Sequence, residues 1–99
     1  MKNPLEKIHV RNCDSVSSCG TVRNQFIITI KTKKGRKSIF QSYNTTIAME
    51  DENGQIWLDK RMWACSTTTG KYRNQFLGEN IAETRKKIKS GEYKLADLN

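Results

Sequence analysis

The side chains with the widest range of chemistry in this sequence are Cys13, Cys19, Cys65 and His9. One histidine and three thiolates are, in number, enough to hold a zinc ion. Structural zinc sites typically take cysteines from pairs that are about two to four residues apart, whereas five residues separate Cys13 from Cys19. The spacing argues against zinc, so we expect no metal site and no bound cofactor.

The same residues give little support for catalysis. No pattern marks any of the cysteines as an activated nucleophile, and the sequence has no glycine-rich loop that could cradle a phosphate. Asp51, Glu52 and Asp59 bracket a turn signal, and we interpret them as solvent-facing turn residues. We therefore predict that the protein is not an enzyme.

Composition limits the environment in which the protein works. Charged residues make up 28% of the chain and the mean hydropathy is −0.75. The longest apolar run, at 26–28, is far shorter than the roughly 20 residues that span a bilayer. The N-terminal sequence lacks the apolar block of a secretory signal. We expect a cytoplasmic protein with reduced thiols and no membrane partner.

Positive charge is the stronger functional signal, because 18 Lys and Arg residues outnumber 10 Asp and Glu residues and give a net charge of +8. The densest cluster lies in KTKKGRK and contains Lys31, Lys33, Lys34, Arg36 and Lys37. Such a cluster at a hairpin tip can reach along a phosphate backbone. It can equally be a solvated tip whose lysines prevent aggregation between sheet edges. Both interpretations stay open.

A second cationic cluster lies near the C-terminus and contains Arg85, Lys86, Lys87 and Lys89. Cations near the end of a helix also complement the helix dipole, which is the simpler interpretation here. Binding is favoured if both clusters lie on one side of the fold. Trp63 is a further candidate contact residue, although we favour a place in the core for its ring.

The pattern of apolar residues predicts the elements that carry these clusters. Phe26, Ile28 and Ile30 alternate with Ile27, Thr29 and Lys31, which indicates a strand with one buried face. Strands are predicted at 22–32, 38–44, 46–51 and 55–59, with turns at Gly35, near Asn44 and at Asn53-Gly54. Residues 22–59 are therefore predicted to form a four-stranded antiparallel meander.

Two helices are predicted after the sheet. Tyr72, Phe76 and Leu77 have helical spacing, with hydroxyl caps at 66–69 and a stop at Gly78. A second helix is predicted to begin at Asn80, where Glu83 completes a capping box, and to end at Gly91.

The complete prediction is a single α+β domain over residues 1–99. It has an irregular N-terminal segment at 1–21, the antiparallel sheet at 22–59, two helices within 66–91 packed on one face of the sheet, and a tail at 92–99. The tetrapeptide RNQF occurs at 23–26 and again at 73–76. Its first copy lies in a strand pattern and its second in a helical pattern, so we interpret the recurrence as chance.

Residues 42–78 resemble an uncharacterised family of small proteins found in tailed-bacteriophage genomes. The residues that carry the resemblance are Ser42, Tyr43, Asn44, Thr45, Trp63, Ser66, Thr68 and Phe76. The resemblance implies a small accessory factor, in the cytoplasm of a host cell, that binds and redirects host or defence machinery.

Three functional hypotheses follow. The first is a non-enzymatic modulator or inhibitor that docks on a host or anti-phage-defence nucleoprotein complex, with its positive charge against nucleic acid or an acidic protein surface. The second is a direct nucleic-acid-binding protein that uses Lys33, Lys34, Arg36 and Lys37 as phosphate contacts. The third is a structural or homo-oligomeric component.

Overall fold

The computed structural model describes residues 7–16 and 19–99 as six strands and two helices. In chain order these are β1 (Lys7–Asp14), β2 (Thr21–Thr32), β3 (Gly35–Ser42), β4 (Thr45–Glu50), β5 (Ile56–Asp59), α1 (Thr67–Leu77), α2 (Ile81–Ser90) and β6 (Lys94–Ala96). The strands form one sheet in chain order; β1 to β5 are antiparallel and β6 is parallel to β5. A parallel return needs a crossover, which the helices supply. The fold is α+β with a mixed sheet.

The sheet is larger than the predicted four-stranded meander. The four predicted strands are present as β2 to β5, but β1 and β6 extend the sheet at its two ends. β1 lies in the segment predicted to be irregular. Ile8 and Val10 alternate there with charged or polar residues, so the segment as a whole is more polar than a typical core strand. β6 has three residues, which is too short for a period to be recognised.

The hairpin predicted at Asn53-Gly54 is confirmed between β4 and β5. Gly54 has a φ of 81°, a conformation that glycine adopts without steric cost. The carboxylate of Asp51 accepts hydrogen bonds from the backbone N–H groups of Asn53 and Gln55 and from Nε1 of Trp57. The indole hydrogen bond is the largest cause that lowers the pKa of Asp51. Asp51 therefore organises this turn.

Both helices begin and end at the predicted caps. The Ser66 hydroxyl accepts a hydrogen bond from the first turn of α1, and Gly78 ends the helix in the left-handed conformation. Asn80 and Glu83 form the reciprocal capping box of α2, which ends at Gly91. In the part of the chain that the structure describes, neither helix has the length and apolarity to cross a membrane.

The repeated RNQF tetrapeptide adopts two different structures. Residues 23–26 lie in β2, whereas residues 73–76 lie in α1. Arg23 is exposed, while Arg73 is only 1% exposed. The prediction that the recurrence is not a structural repeat is confirmed.

The core lies between one face of the sheet and the helices. Ile27, Phe40 and Leu58 project from β2, β3 and β5 into this core. Tyr72 of α1 is buried among them, and the ring of Phe76 stacks on that of Phe40 with 6.1 Å between centroids. We call this face of the sheet the helix face.

β2 buries the less apolar of its two faces. Gln25 and Ile27 are buried on the helix face. Phe26, Ile28 and Ile30 lie on the opposite face, are only partly buried, and do not pack against the core. Among the described residues the sheet therefore keeps a second apolar face that neither helix covers, which we call the open face.

Glu79 joins the two helices to the chain that leads into β6. Its carboxylate, whose side chain is 4% exposed, accepts hydrogen bonds from Lys87 Nζ at 2.7 Å, Thr84 Oγ1 at 2.6 Å and the Tyr93 hydroxyl at 2.7 Å. Burial raises the pKa of Glu79, but the three hydrogen bonds outweigh it and hold the pKa below its ordinary value. Burial, with the hydrogen bond to Glu79, raises the pKa of Tyr93 to about 12.

Arg73 fixes the connection between β5 and α1 from within the core. Its Nη1 donates to the Trp63 carbonyl at 2.7 Å, and its Nη2 donates to Asn74 Oδ1 at 2.9 Å. The guanidinium also lies over the Trp63 ring, 5.4 Å from the centroid. These contacts need a planar side chain with N–H donors in a fixed fork, and the lysine ammonium group has neither property.

Replacing Glu79 by Gln should lower the free energy of unfolding by about 1–3 kcal/mol at neutral pH, since charge-assisted hydrogen bonds to a buried group are lost. Urea denaturation measures this change. Because the pKa of Glu79 is lower in the folded protein, the stabilisation is present above the ordinary value of 4.5 and is lost as pH falls through the folded pKa. The two proteins should therefore converge in stability in acid.

The exposed Glu92 provides a matched control, and Glu92→Gln should change stability by less than about 0.5 kcal/mol. Equal stability of Glu79→Gln and Glu92→Gln at neutral pH would contradict the role given to Glu79.

The two RNQF copies offer an internally matched test of Arg73. Arg73→Lys should lower the free energy of unfolding by about 1–3 kcal/mol, because the forked hydrogen bonds are lost in a buried site. Arg23→Lys, at the same position of the exposed copy, should stay within about 0.5 kcal/mol of the unsubstituted protein. Thermal or urea unfolding distinguishes them, and similar losses for both would show that burial of Arg73 is unimportant.

Candidate polyanion-binding surface

Strand alternation gathers cations on one part of the helix face. Alternate residues of a strand share a face, so Lys7, His9 and Arg11 of β1 project to the same side. Lys31 of β2 and Arg36 of β3 project to this side as well. All five side chains are exposed, and we call them the cationic face. A cleft of about 330 Å³ is lined by Lys7, His9, Thr29, Lys31 and Arg36.

Three of these cations stand directly opposite one another across adjacent strands. Lys7 is paired with Lys31, and Lys31 is paired with Arg36. Like charges directly opposite each other destabilise a sheet. The salt bridge found among the described residues joins Lys87 to Glu79, so in that part of the chain no salt bridge joins the cationic row to a carboxylate. The row is an electrostatic cost to folding that an anionic partner would offset.

A second cleft separates the cationic face from the C-terminal end of α1. It has a volume of about 390 Å³, and Arg11 and Arg36 line its sheet side. Gln75 and Phe76 of α1 line the other side, and Glu50 is the carboxylate found among its lining residues. The helix thus ends before it covers the cations, which leaves them open to a large ligand.

The structure divides the cluster predicted at the hairpin tip. Lys31 and Arg36 belong to the cationic face, and Lys33 and Lys34 form the loop between β2 and β3. Lys37 pairs with Ile30 and so projects from the open face, where its charge helps to lower the pKa of Asp51. Lys31 and Arg36 therefore share the cationic face, whereas Lys37 projects from the other side of the sheet.

The second predicted cluster does not adjoin the cationic face. Lys87 is held by Glu79 and lies over the Tyr93 ring, whereas Arg85, Lys86 and Lys89 are exposed on α2. Among the described residues, none from α2 lines either cleft beside the cationic face.

The predicted contact residue Trp63 is partly buried. Its ring packs against the core and lies under the Arg73 guanidinium. This position makes the indole part of the support for α1, and Trp63 lines neither cleft beside the cationic face.

Lys7, His9 and Arg11 were not predicted from the sequence to belong to a cationic cluster. The signal was present, because in KIHVRN they alternate strictly with Ile8 and Val10. That alternation has the period of a strand. It places three basic residues on one face of β1, and the register with β2 then aligns them with Lys31.

The other residues with potential chemistry are dispersed or structural. Within residues 7–16 and 19–99, no group of three His, Cys, Asp or Glu side chains is placed to hold a metal ion. Cys13 is buried, and burial raises the pKa of its thiol; Cys19 and Cys65 are exposed. Asp59, predicted to face solvent, is instead 2% exposed and accepts backbone hydrogen bonds from Met62 and Leu98.

Comparison with known proteins places the chain in a family. No curated protein and no solved structure gives a significant match. A family of unknown function, DUF8033, matches residues 7–92. This range includes β1 and both helices, and therefore the whole cationic face. The chain belongs to the DUF8033 family of unknown function.

Proposed function

We propose that the protein is a non-enzymatic binding protein that docks on a nucleoprotein complex through its cationic face. Its first contacts are the phosphates of the nucleic acid. The observation that supports this proposal most strongly is the cationic row formed by Lys7, Lys31 and Arg36, which has no described salt bridge.

The row suits a phosphate backbone for reasons of spacing as well as charge. Neighbouring strands are about 4.8 Å apart, so three paired residues span roughly 10 Å. Long, flexible Lys and Arg side chains at this spacing can reach successive phosphates of a single strand, or phosphates on either side of a duplex groove. Binding then releases condensed counterions, which is the main source of affinity for a basic surface of this kind.

The choice of a nucleoprotein over bare nucleic acid rests on the resemblance of residues 42–78 to small phage proteins. Accessory factors of that type act on host or defence complexes. Direct binding to nucleic acid is the second candidate, and the exposed cationic row favours it independently of the resemblance.

The cationic face can be tested by removing two charges from it. Lys31→Ala with Arg36→Ala should weaken binding to a short labelled DNA duplex and reduce the slope of log K against log salt. Each phosphate contact contributes about 0.9 to that slope on duplex DNA, so the loss should approach about 2. Fluorescence anisotropy at several salt concentrations measures both quantities.

Lys86→Ala with Lys89→Ala is the matched control, because it removes the same charge from exposed positions on α2. This control should lose much less of the slope. Equal losses for the two pairs would mean that net charge, rather than the cationic face, determines binding. Absence of any binding at low salt would eliminate direct contact with nucleic acid.

Capture from a host lysate separates the two candidates. A modulator of a nucleoprotein should retain a defined set of proteins after nuclease treatment, whereas a direct nucleic-acid binder should lose them. In either case the Lys31→Ala/Arg36→Ala protein should recover less than the Lys86→Ala/Lys89→Ala protein. Equal recovery by both variants would contradict a docking role for the cationic face.

A further inference from the structure

The open face carries an unbroken apolar row across five strands. Val10 pairs with Ile28, Ile28 with Ile39, Ile39 with Met49, and Met49 with Trp57. Paired residues share a face, so these five side chains stand side by side. Ile8, paired with Ile30, extends the apolar surface beyond this row toward the β2–β3 hairpin.

Nothing in the described part of the fold covers this row. None of the five belongs to the core or to the partly buried apolar residues that pack against it. Ile8 and Val10 are 60% and 55% exposed. The other residues of the row are partly buried, and a contiguous apolar surface of this kind is typical of an interaction site.

We propose that the open face binds the open face of a second copy of this chain, so that two sheets pack into a β-sandwich dimer. Such a contact is isologous, with the same row on both copies. Sheets packed face to face lie about 10 Å apart, which suits side chains of the size of Ile, Val and Met. The dimer does not depend on the function proposed for the cationic face.

The charge distribution favours a second copy over a polyanion. The cationic face projects to the opposite side of the sheet, so two basic molecules can meet with those charges directed away from each other. On the open face, Lys37 has Asp51 as an electrostatic partner. Trp57 donates its indole N–H to the same carboxylate and is paired with Lys94 of β6, so the cation Lys94 stands at the edge of the row.

The available area is sufficient for a weak dimer. Five strands about 4.8 Å apart, crossed by the apolar row and by one flanking row on each side of it at a spacing of about 7 Å, give a footprint of roughly 500 Å² per copy. A dimer would then bury roughly 1,000 Å² in total, near the lower limit for a specific interface. We therefore expect dissociation in the micromolar range.

Sedimentation equilibrium tests the dimer directly. The unsubstituted protein should shift from monomer to dimer between low and high micromolar concentration. Ile8→Lys with Val10→Lys should stay monomeric, because two buried ammonium groups per copy would be unpaired in the interface. Val16→Lys with Leu95→Lys is the matched control: these apolar residues are 49% and 44% exposed, lie outside the apolar row, and gain the same charge. The control should still dimerise.

Isoleucine methyl NMR signals give a second measurement that does not rely on substitutions. On dilution, the signals of Ile28 and Ile39 should shift, while Ile47, which is 0% exposed in the core, should not. A monomer at every concentration would overturn the proposal. The proposal would also be overturned if the control pair abolished dimerisation and the Ile8→Lys/Val10→Lys pair left it intact.

Discussion

The register of β2 with β1 and β3 determines what each face of the sheet can do. In this register Lys31 stands between Lys7 and Arg36 on one side. On the other side Ile28 stands between Val10 and Ile39. Side chains alternate between the two faces of the sheet with a period of two. If a strand slipped by one residue against its neighbour, its charged side chains would exchange faces with its apolar side chains. The register therefore places Lys31 among cations and Ile28 among apolar residues.

Packing on the helix face holds this register. Ile27 and Phe40 are paired across β2 and β3, and Phe76 of α1 stacks on Phe40. A slip would withdraw Ile27 from that contact. The helices are in turn fixed by two buried charged groups, Glu79 and Arg73, each with specific hydrogen-bond partners. The polar groups in the core thus hold the helices against the sheet.

Local signals allowed the helices and the central hairpins to be predicted. Ser66, Gly78, Asn80 and Gly91 act within one or two turns of their own position, so the sequence around them is sufficient. The choice of buried face in β2 is not local. Isoleucine occurs on both faces of β2, so the strand's own sequence does not show which face is buried. The position of α1 decides that Ile27 is buried.

The cationic face was only partly predictable for a related reason. The hairpin cations were recognised from their density, but their division between two faces depends on the pairing of β2 with β3. β1 was missed because both its apolar and its charged residues are exposed, whereas a core strand buries its apolar side chains. Strand alternation in KIHVRN was the signal that could have identified it.

The most direct test of the account is a titration of the isotopically labelled protein with a short oligonucleotide at low salt, followed by side-chain NMR. If the cationic face binds the oligonucleotide, the Nε–H signals of Arg11 and Arg36 and the methyl signal of Thr29 should shift progressively, while the methyl signals of Ile28 and Ile39 should not. Shifts confined to Arg85 on α2, or to the methyl groups of the open face, would contradict it.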